Sequence, residues 1–238
     1  LMSPVIKKLP NTGVYVGISG TDFLVDHVKP AAKELNAFIL PGNVLSVAAG
    51  RISYIFDFRG PSLAIDTACS SSIVSAHSAM QATEVGDIDA AASCGVSAIM
   101  SVLVSGLFNA AGMLASDGRC KSLDARADGY VRSEARGIVF LENFALHHEN
   151  SLRGVPLIFM AGSAVNQDGR SASLTAPNGP SQQWTLRAAL RHEKSESNDI
   201  CRLQMPGTGT ALGAPIEFGS NLAVYCMSSH DAGGKSSN

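Results

Sequence analysis

The sequence predicts an α/β protein, and three observations carry that expectation. A short apolar run bounded by glycines, Gly13-Val14-Tyr15-Val16-Gly17-Ile18, has the composition of a buried strand. A second, Ser62-Leu63-Ala64-Ile65, breaks at Thr67-Ala68-Cys69-Ser70-Ser71-Ser72 and gives way to the helix-like Ile73–Met80. A third, Gly137–Glu142, is rich in β-branched and large apolar residues. Strands interleaved with helices are the pattern of an α/β layer architecture.

Taken in order, Gly13–Ile18 is the first strand, and Ala31–Phe38 and Val44–Ala49 read as helical segments separated by Pro41-Gly42. Ser62–Ile65 is a strand and Ser72–Thr83 the helix leaving it. Ile88–Val96 has the small-residue density of a strand packed closely against neighbours, through Ala90, Ala91, Ala92, Ser93 and Gly95. The most apolar stretch, Val96–Phe108, is interrupted by serines and Gly106 and falls short of the roughly 20 residues of a spanning helix. It reads as a buried helix or strand pair. Gly137–Glu142 and Pro156–Gly162 are strands, and Ser181–His192 is a helix with Pro180 just before it.

The chain of 238 residues, 45% hydrophobic and 16% charged, has the composition of an ordinary globular protein able to bury a substantial core. A formal net charge of −2, with no basic run, gives no electrostatic case for nucleic acid or an anionic membrane. The cysteines at 69, 94, 120, 201 and 226 form no CxxC pair and have no metal-ligand spacing with histidines. An odd number of scattered thiols fits a reducing compartment. Lys7 and Lys8 follow a short apolar start without the apolar core of a signal peptide, and the first residues, Leu1-Met2, are equally compatible with a portion missing upstream and with a true start. A cytoplasmic setting is expected, or a plastid one if a targeting segment precedes Leu1. No internal repeat is present, and Ser228–Asn238 is a Ser/Gly-rich tail.

Cys69 is the candidate nucleophile. It stands at the apex of a strand-to-helix turn, where unpaired N–H groups and the positive end of the helix dipole favour a thiolate and an acyl oxyanion. The competing reading is a small apolar side chain beneath a helix. Gly95-Val96-Ser97-Ala98 lacks the second glycine of a serine nucleophile elbow. Asn166-Gln167-Asp168-Gly169 has neither calcium-loop nor phosphate-loop spacing and reads as a loop near a dimer or substrate entrance.

Gly60-Pro61-Ser62 with Asp66-Thr67-Ala68-Cys69-Ser70-Ser71-Ser72 closely resembles the active-site motif of β-ketoacyl synthase domains of modular type I polyketide synthases. Other segments follow in that family's order: Gly50-Arg51-Ile52-Ser53-Tyr54, Asp117-Gly118-Arg119-Cys120-Lys121-Ser122, Asp128-Gly129-Tyr130-Val131-Arg132, Asn166–Arg170, Leu174–Gly179 and Gly207-Thr208-Gly209-Thr210-Ala211-Leu212-Gly213. The resemblance runs from about Gly13 to Glu217. It implies a thiolase-like fold, two similar halves in αβαβα layers, with a first half over residues 1–153 and an incomplete second half over 154–238.

The resemblance also implies a mechanism. Cys69 takes an acyl group from the phosphopantetheine arm of an acyl carrier protein, with no cofactor or metal bound directly. Two histidines then promote decarboxylation of a malonyl-type extender, whose carbanion attacks the thioester in a Claisen condensation, and the enzyme works as a homodimer. Thr208 and Thr210 match the threonines whose hydroxyls bind the pantetheine amides; a plain glycine-rich turn is the alternative reading of that segment.

The chain departs from the family where the first histidine belongs. Pro206 stands there and has neither a side-chain donor nor a backbone N–H. Gln204 replaces a usual glutamate, Ala214 a usual aspartate, and Lys235-Ser236-Ser237-Asn238 ends at the start of the segment that carries the second histidine. His77 reads as a packed side chain on a helix, His147 and His148 as a solvated loop, and His230 as part of the tail. Lys121, Arg132 and Glu134 read as a structural ion-pair network, with Ala135 and Arg136 where glycine is expected. Two functions stay open: a condensing ketosynthase, or a non-elongating or silent one used for acyl transfer, carrier docking or dimerisation.

Overall fold

Six consecutive buried residues, Thr12–Gly17, form β1, the strand about which the first unit is organised. The protein is described here by a computed structural model that covers residues 11–28, 36–143 and 158–226. It divides into two units, Leu1–Gly106 with Ser133–Phe159 and Leu107–Arg132 with Met160–Asn238. The expected domain division at 153/154 lies outside the described residues.

The first unit holds a four-stranded sheet of order β2-β1-β3-β4. Strands β2 (Ser62–Ile65) and β3 (Ala90–Ser97) run parallel to β1, and β4 (Ala135–Glu142) is antiparallel to β3. Side chains alternate across a strand, so β1 feeds two clusters. Val14 and Val16 meet Ala49, Phe58 and Cys94, with Ile52 and Phe56 of α2 (Leu45–Phe56) packed alongside. Tyr15 meets Ala79, Ile88 and Ala91, with Ala82 alongside; Ala79 and Ala82 belong to α3 (Ser71–Glu84). Burial holds the Cys94 thiol and the Tyr15 hydroxyl in their protonated forms to higher pH than usual, Tyr15 with help from the Asp87 charge.

Four expectations need correction or fall outside the described residues. Pro41-Gly42 does not separate two helices: both lie inside α1 (Ile39–Asn43), where Pro41 occupies the first turn and its missing N–H leaves no helix bond unmade. Of the expected helix over 31–38, residues 31–35 lie outside the described residues, and Asn36–Phe38 form a turn closed by the Phe38 N–H donating to Asn36 Oδ1 at 2.9 Å. Residues 158–162 of the expected strand Pro156–Gly162 are not a strand. A strand exists only where its backbone meets a neighbour's, and Ile158 is 87% exposed. The apolar stretch Val96–Phe108 is the end of β3 followed by α4 (Val102–Ala110), which has no buried residue. Hydropathy alone does not place a helix inside.

The second unit contains α5 (Gly179–Glu193) packed on α6 (Gly213–Tyr225), joined by Ser220 Oγ donating to the Gly179 carbonyl at 3.2 Å. Asn178 caps α5 by accepting the Ser181 N–H, with Pro180 in the first turn. The Asn166–Gly169 loop braces that cap. Asp168 Oδ2 accepts the Asn178 N–H at 3.2 Å, Asn178 Nδ2 donates to the Asp168 carbonyl at 2.8 Å, and Asn166 Nδ2 donates to the Ser181 carbonyl at 2.9 Å.

Candidate active site

The turn carrying Cys69 is built by its own polar side chains. Asp66 Oδ1 accepts the Ala68 N–H at 3.0 Å. Ser71 Oγ accepts the Thr67 N–H at 2.9 Å and donates to the Ala68 carbonyl at 2.7 Å. Ala68 has φ of 54°, a left-handed conformation that costs a non-glycine residue about 1 kcal/mol or more. This strained step turns the chain between β2 and α3 and leaves Cys69 exposed. Ser70, at the N-cap, spends its hydroxyl on the Thr67 carbonyl at 2.9 Å and gives α3 no side-chain cap. The Ser71 N–H turns back to the Ala68 carbonyl at 3.2 Å, and it is the amides after it in the first turn that keep their capacity to receive an anion.

What places this helix end is a pair of glycines, Gly17 and Gly95. Gly17 on β1, Gly95 on β3 and Gly137 on β4 are in register across the sheet. A Cβ on Gly17 would lie 2.5 Å from backbone atoms of Ser71 and Ser72, and one on Gly95 2.7 Å from Ser72 Cβ. The start of α3 thus rests directly on the sheet. One turn on, the fully buried Ser75 fastens it: its Oγ lies 2.9 Å from Ser93 Oγ on β3.

Thr208 and Thr210 lie in the second unit, on the loop before α6, and Cys69 in the first. Thr210 Oγ1 accepts the Gly213 N–H at 3.2 Å, so it also helps start α6. Gly207 and Gly209 flank Thr208 with φ of 57° and 72°, values open to glycine at little cost. Pro206 is exposed. His77 is half-buried on α3, as its packed reading expects, whereas His147, His148 and His230 lie outside the described residues. His192, which drew no attention in the sequence, sits on α5 with Nδ1 3.2 Å from the Ser163 backbone.

The expected charge network is found at Lys121. Lys121 Nζ bridges Asp117 at 2.9 Å and Asp128 at 2.5 Å. Arg132 stacks over the Phe108 ring at 5.0 Å, and Glu134 accepts the Ile99 N–H at 2.7 Å. Charge type alone does not reveal such partners. The hydrogen bonds from Lys121 hold both carboxyls below their ordinary 3.8, and those two partners, Asp128 first, hold the ammonium above 10.5. A carboxylate with a depressed value stabilises the fold above its unfolded value and loses that contribution as pH falls through the folded one. Acidification below about 3.8 is therefore expected to lower the protection factors, exchange rates taken relative to an unstructured peptide at the same pH, of the Ala115 and Tyr130 amides, which close this loop. In Lys121→Met that acid step should largely vanish; an unchanged acid profile would refute the linkage.

Among the described residues no group of three His, Cys, Asp or Glu could hold a metal, and no helix is long and apolar enough to cross a membrane.

Comparison with known proteins decides the family. Residues 4–147 match the family described as β-ketoacyl synthase, N-terminal domain, and residues 157–235 the β-ketoacyl synthase, C-terminal domain. The chain belongs to the β-ketoacyl synthase family. It is 40% identical over 224 residues to the spectinabilin polyketide synthase system protein NorA' of Streptomyces orinoci, covering 94% of this chain and 6% of that protein. It is 41% identical over 224 residues to the erythronolide synthase EryA2 of Saccharopolyspora erythraea, again covering 94% and 6%. Both relatives are bacterial, and neither supports a plastid setting.

Among solved structures, the ketosynthase from module 6 of the bacillaene synthase of Bacillus subtilis 168 superposes with a TM-score of 0.82 at 34% identity, covering 92% of this chain and 37% of that one. The oxazolomycin ketosynthase domain OzmH KS7 of Streptomyces albus JA3453 gives 0.85 at 31%, covering 96% and 38%. This ketosynthase chain has their thiolase-like α/β fold and spans about two fifths of either domain.

Proposed function

We propose that this ketosynthase chain accepts an acyl group on Cys69 from the phosphopantetheine arm of an acyl carrier protein, within a polyketide-forming homodimer. The observation that carries the reading is the exposed thiol on a strained turn at an uncapped helix end. The Cys69 thiolate attacks the thioester carbonyl and a new C–S bond forms. First-turn amides stabilise the oxyanion, and the pantetheine thiolate leaves, taking up the proton that Cys69 gave up. Thr208 and Thr210 hydroxyls hold the amides of the arm.

A specific observation favours transfer without elongation. Condensation needs donors for the enolate oxygen of the extender, and Pro206 occupies the position where the resemblance places the first of them. The test is incubation of the 238-residue chain with an acyl-pantetheine thioester and malonyl-pantetheine. Intact mass should show one acyl adduct, formed slowly and in part, with no carbon dioxide release and no β-ketoacyl product. Release of carbon dioxide with product formation would instead establish the condensing reading.

A further inference from the structure

The loop running from Ala115 to Val131 has no role in the chemistry above, yet it grips the Gly207–Thr210 segment from two sides. Ser122 Oγ donates to the Gly207 carbonyl, and the Gly129 N–H donates to the Gly209 carbonyl at 3.1 Å. These are the carbonyls immediately before and after Thr208. The Gly207 N–H is held as well, by Glu217 Oε2 at 3.2 Å. Gly209 is buried, and a Cβ there would lie 3.3 Å from the Gly129 carbonyl oxygen and the Lys121 backbone. Two left-handed glycines around one threonine make a segment with many accessible conformations. The loop selects one of them.

The two donors sit on opposite limbs of the loop, each next to a residue of the ion triad. Ser122 follows Lys121, and Gly129 follows Asp128. The Lys121 ammonium, its side chain only 16% exposed, ties those limbs together through Asp117 and Asp128. Ser116 Oγ donates to Asp128 at 3.1 Å, and the loop's ends close through the Ala115 N–H to the Tyr130 carbonyl and the Tyr130 N–H to the Met113 carbonyl, both 3.0 Å. A bulkier residue cannot replace Gly129: its φ is 146° and a Cβ would lie 2.6 Å from the Ala115 nitrogen.

We propose that Ser122 is a positioning residue for Thr208, and that the Asp117–Lys121–Asp128 triad keeps the loop in the shape that lets Ser122 and Gly129 fix Thr208 for pantetheine binding. This rests on the reading that Thr208 binds the pantetheine amides. A hydroxyl fixed before the ligand arrives spares binding the cost of ordering two glycines.

The experiment compares two substrates carrying the same acyl group on the 238-residue chain: a pantetheine thioester and an S-phenyl thioester, which lacks both amides. Ser122→Ala and Lys121→Met should each raise the half-saturating concentration of the pantetheine thioester about fivefold to tenfold. They should change the loading rate at saturation, and loading from the phenyl thioester, less than twofold, and Ser122→Thr should restore the wild-type half-saturating concentration. Thr208→Val is the control for the underlying reading. If Thr208→Val raises the half-saturating concentration and the Ser122 and Lys121 variants do not, the positioning role is wrong while the reading stands. If Thr208→Val has no effect, or the wild-type chain takes no acyl group from the pantetheine thioester, the reading and the inference fall together. Equal losses with both substrates in Ser122→Ala would mean general damage to the fold and would also overturn the proposal.

Discussion

Gly17→Ala is expected to destabilise the first unit by about 3 kcal/mol, at the high end of what overpacking one methyl group costs. The added carbon would lie 2.5 Å from backbone atoms of Ser71 and Ser72. No flexible side-chain end is there to move aside, so either α3 lifts from the sheet or β1 bends. Gly95→Ala meets Ser72 Cβ at 2.7 Å instead, a contact between two side-chain carbons. The two substitutions therefore separate by rescue. Ser72→Gly on its own should cost about 0.5 kcal/mol in helix propensity, the difference between glycine and serine on a scale referred to alanine. Combined with Gly95→Ala it should recover most of the loss, because the obstructing carbon is gone. Combined with Gly17→Ala it should recover almost none, since the backbone remains. Urea midpoints at constant m-value measure both couplings. A Gly17→Ala protein within about 0.5 kcal/mol of wild type, or one rescued by Ser72→Gly, would show that the helix end does not rest on the sheet as described.

The same glycines show where the sequence was legible. The four residues of β2 and the body of α3 were read from local composition because both are fixed locally: Ser62–Ile65 is a short apolar run, and the turn after it is closed by Asp66 and Ser71 within five residues of each other. Gly17 and Gly95 were read as strand boundaries or packing residues, but their pairing beneath α3 depends on register between strands far apart in the chain. Pro156–Gly162 was read as a strand from its residues alone, and a strand is a property of two segments. The clamp on Thr208 was hidden for the same reason. Its bond from Ser122 spans 85 residues, and serine and glycine carry no periodic signal. The family motifs located Thr208 and Thr210; only the fold showed what holds that segment.

Cys69→Ala should abolish acyl loading, lowering the rate by on the order of 10³-fold or more. Cys69→Ser should be nearly as inert, because a hydroxyl without an adjacent general base stays protonated and is a weak nucleophile. The chain supplies its own controls. Cys120, Cys201 and Cys226 are also exposed, so accessibility alone would distribute acyl groups among four thiols. Cys94 is buried, and burial makes its thiolate costlier still. Among the exposed cysteines, Cys120 already has its sulfur engaged, accepting the Val131 N–H at 3.2 Å. What sets Cys69 apart is its neighbour on the C-terminal side: an uncapped 14-residue helix whose first turn contains no acidic residue. An oxyanion formed there meets amide donors and no carboxylate on the helix's own first turn, while Asp66 on the preceding side has one oxygen taken up by the Ala68 N–H. Intact mass followed by peptide mapping should therefore place the adduct on Cys69, and Cys120→Ala should leave its amount unchanged. An adduct that persists in Cys69→Ala, or one spread over the four exposed thiols, would mean that the helix end confers no selectivity, and the acyl-transfer reading would lose the observation on which it stands.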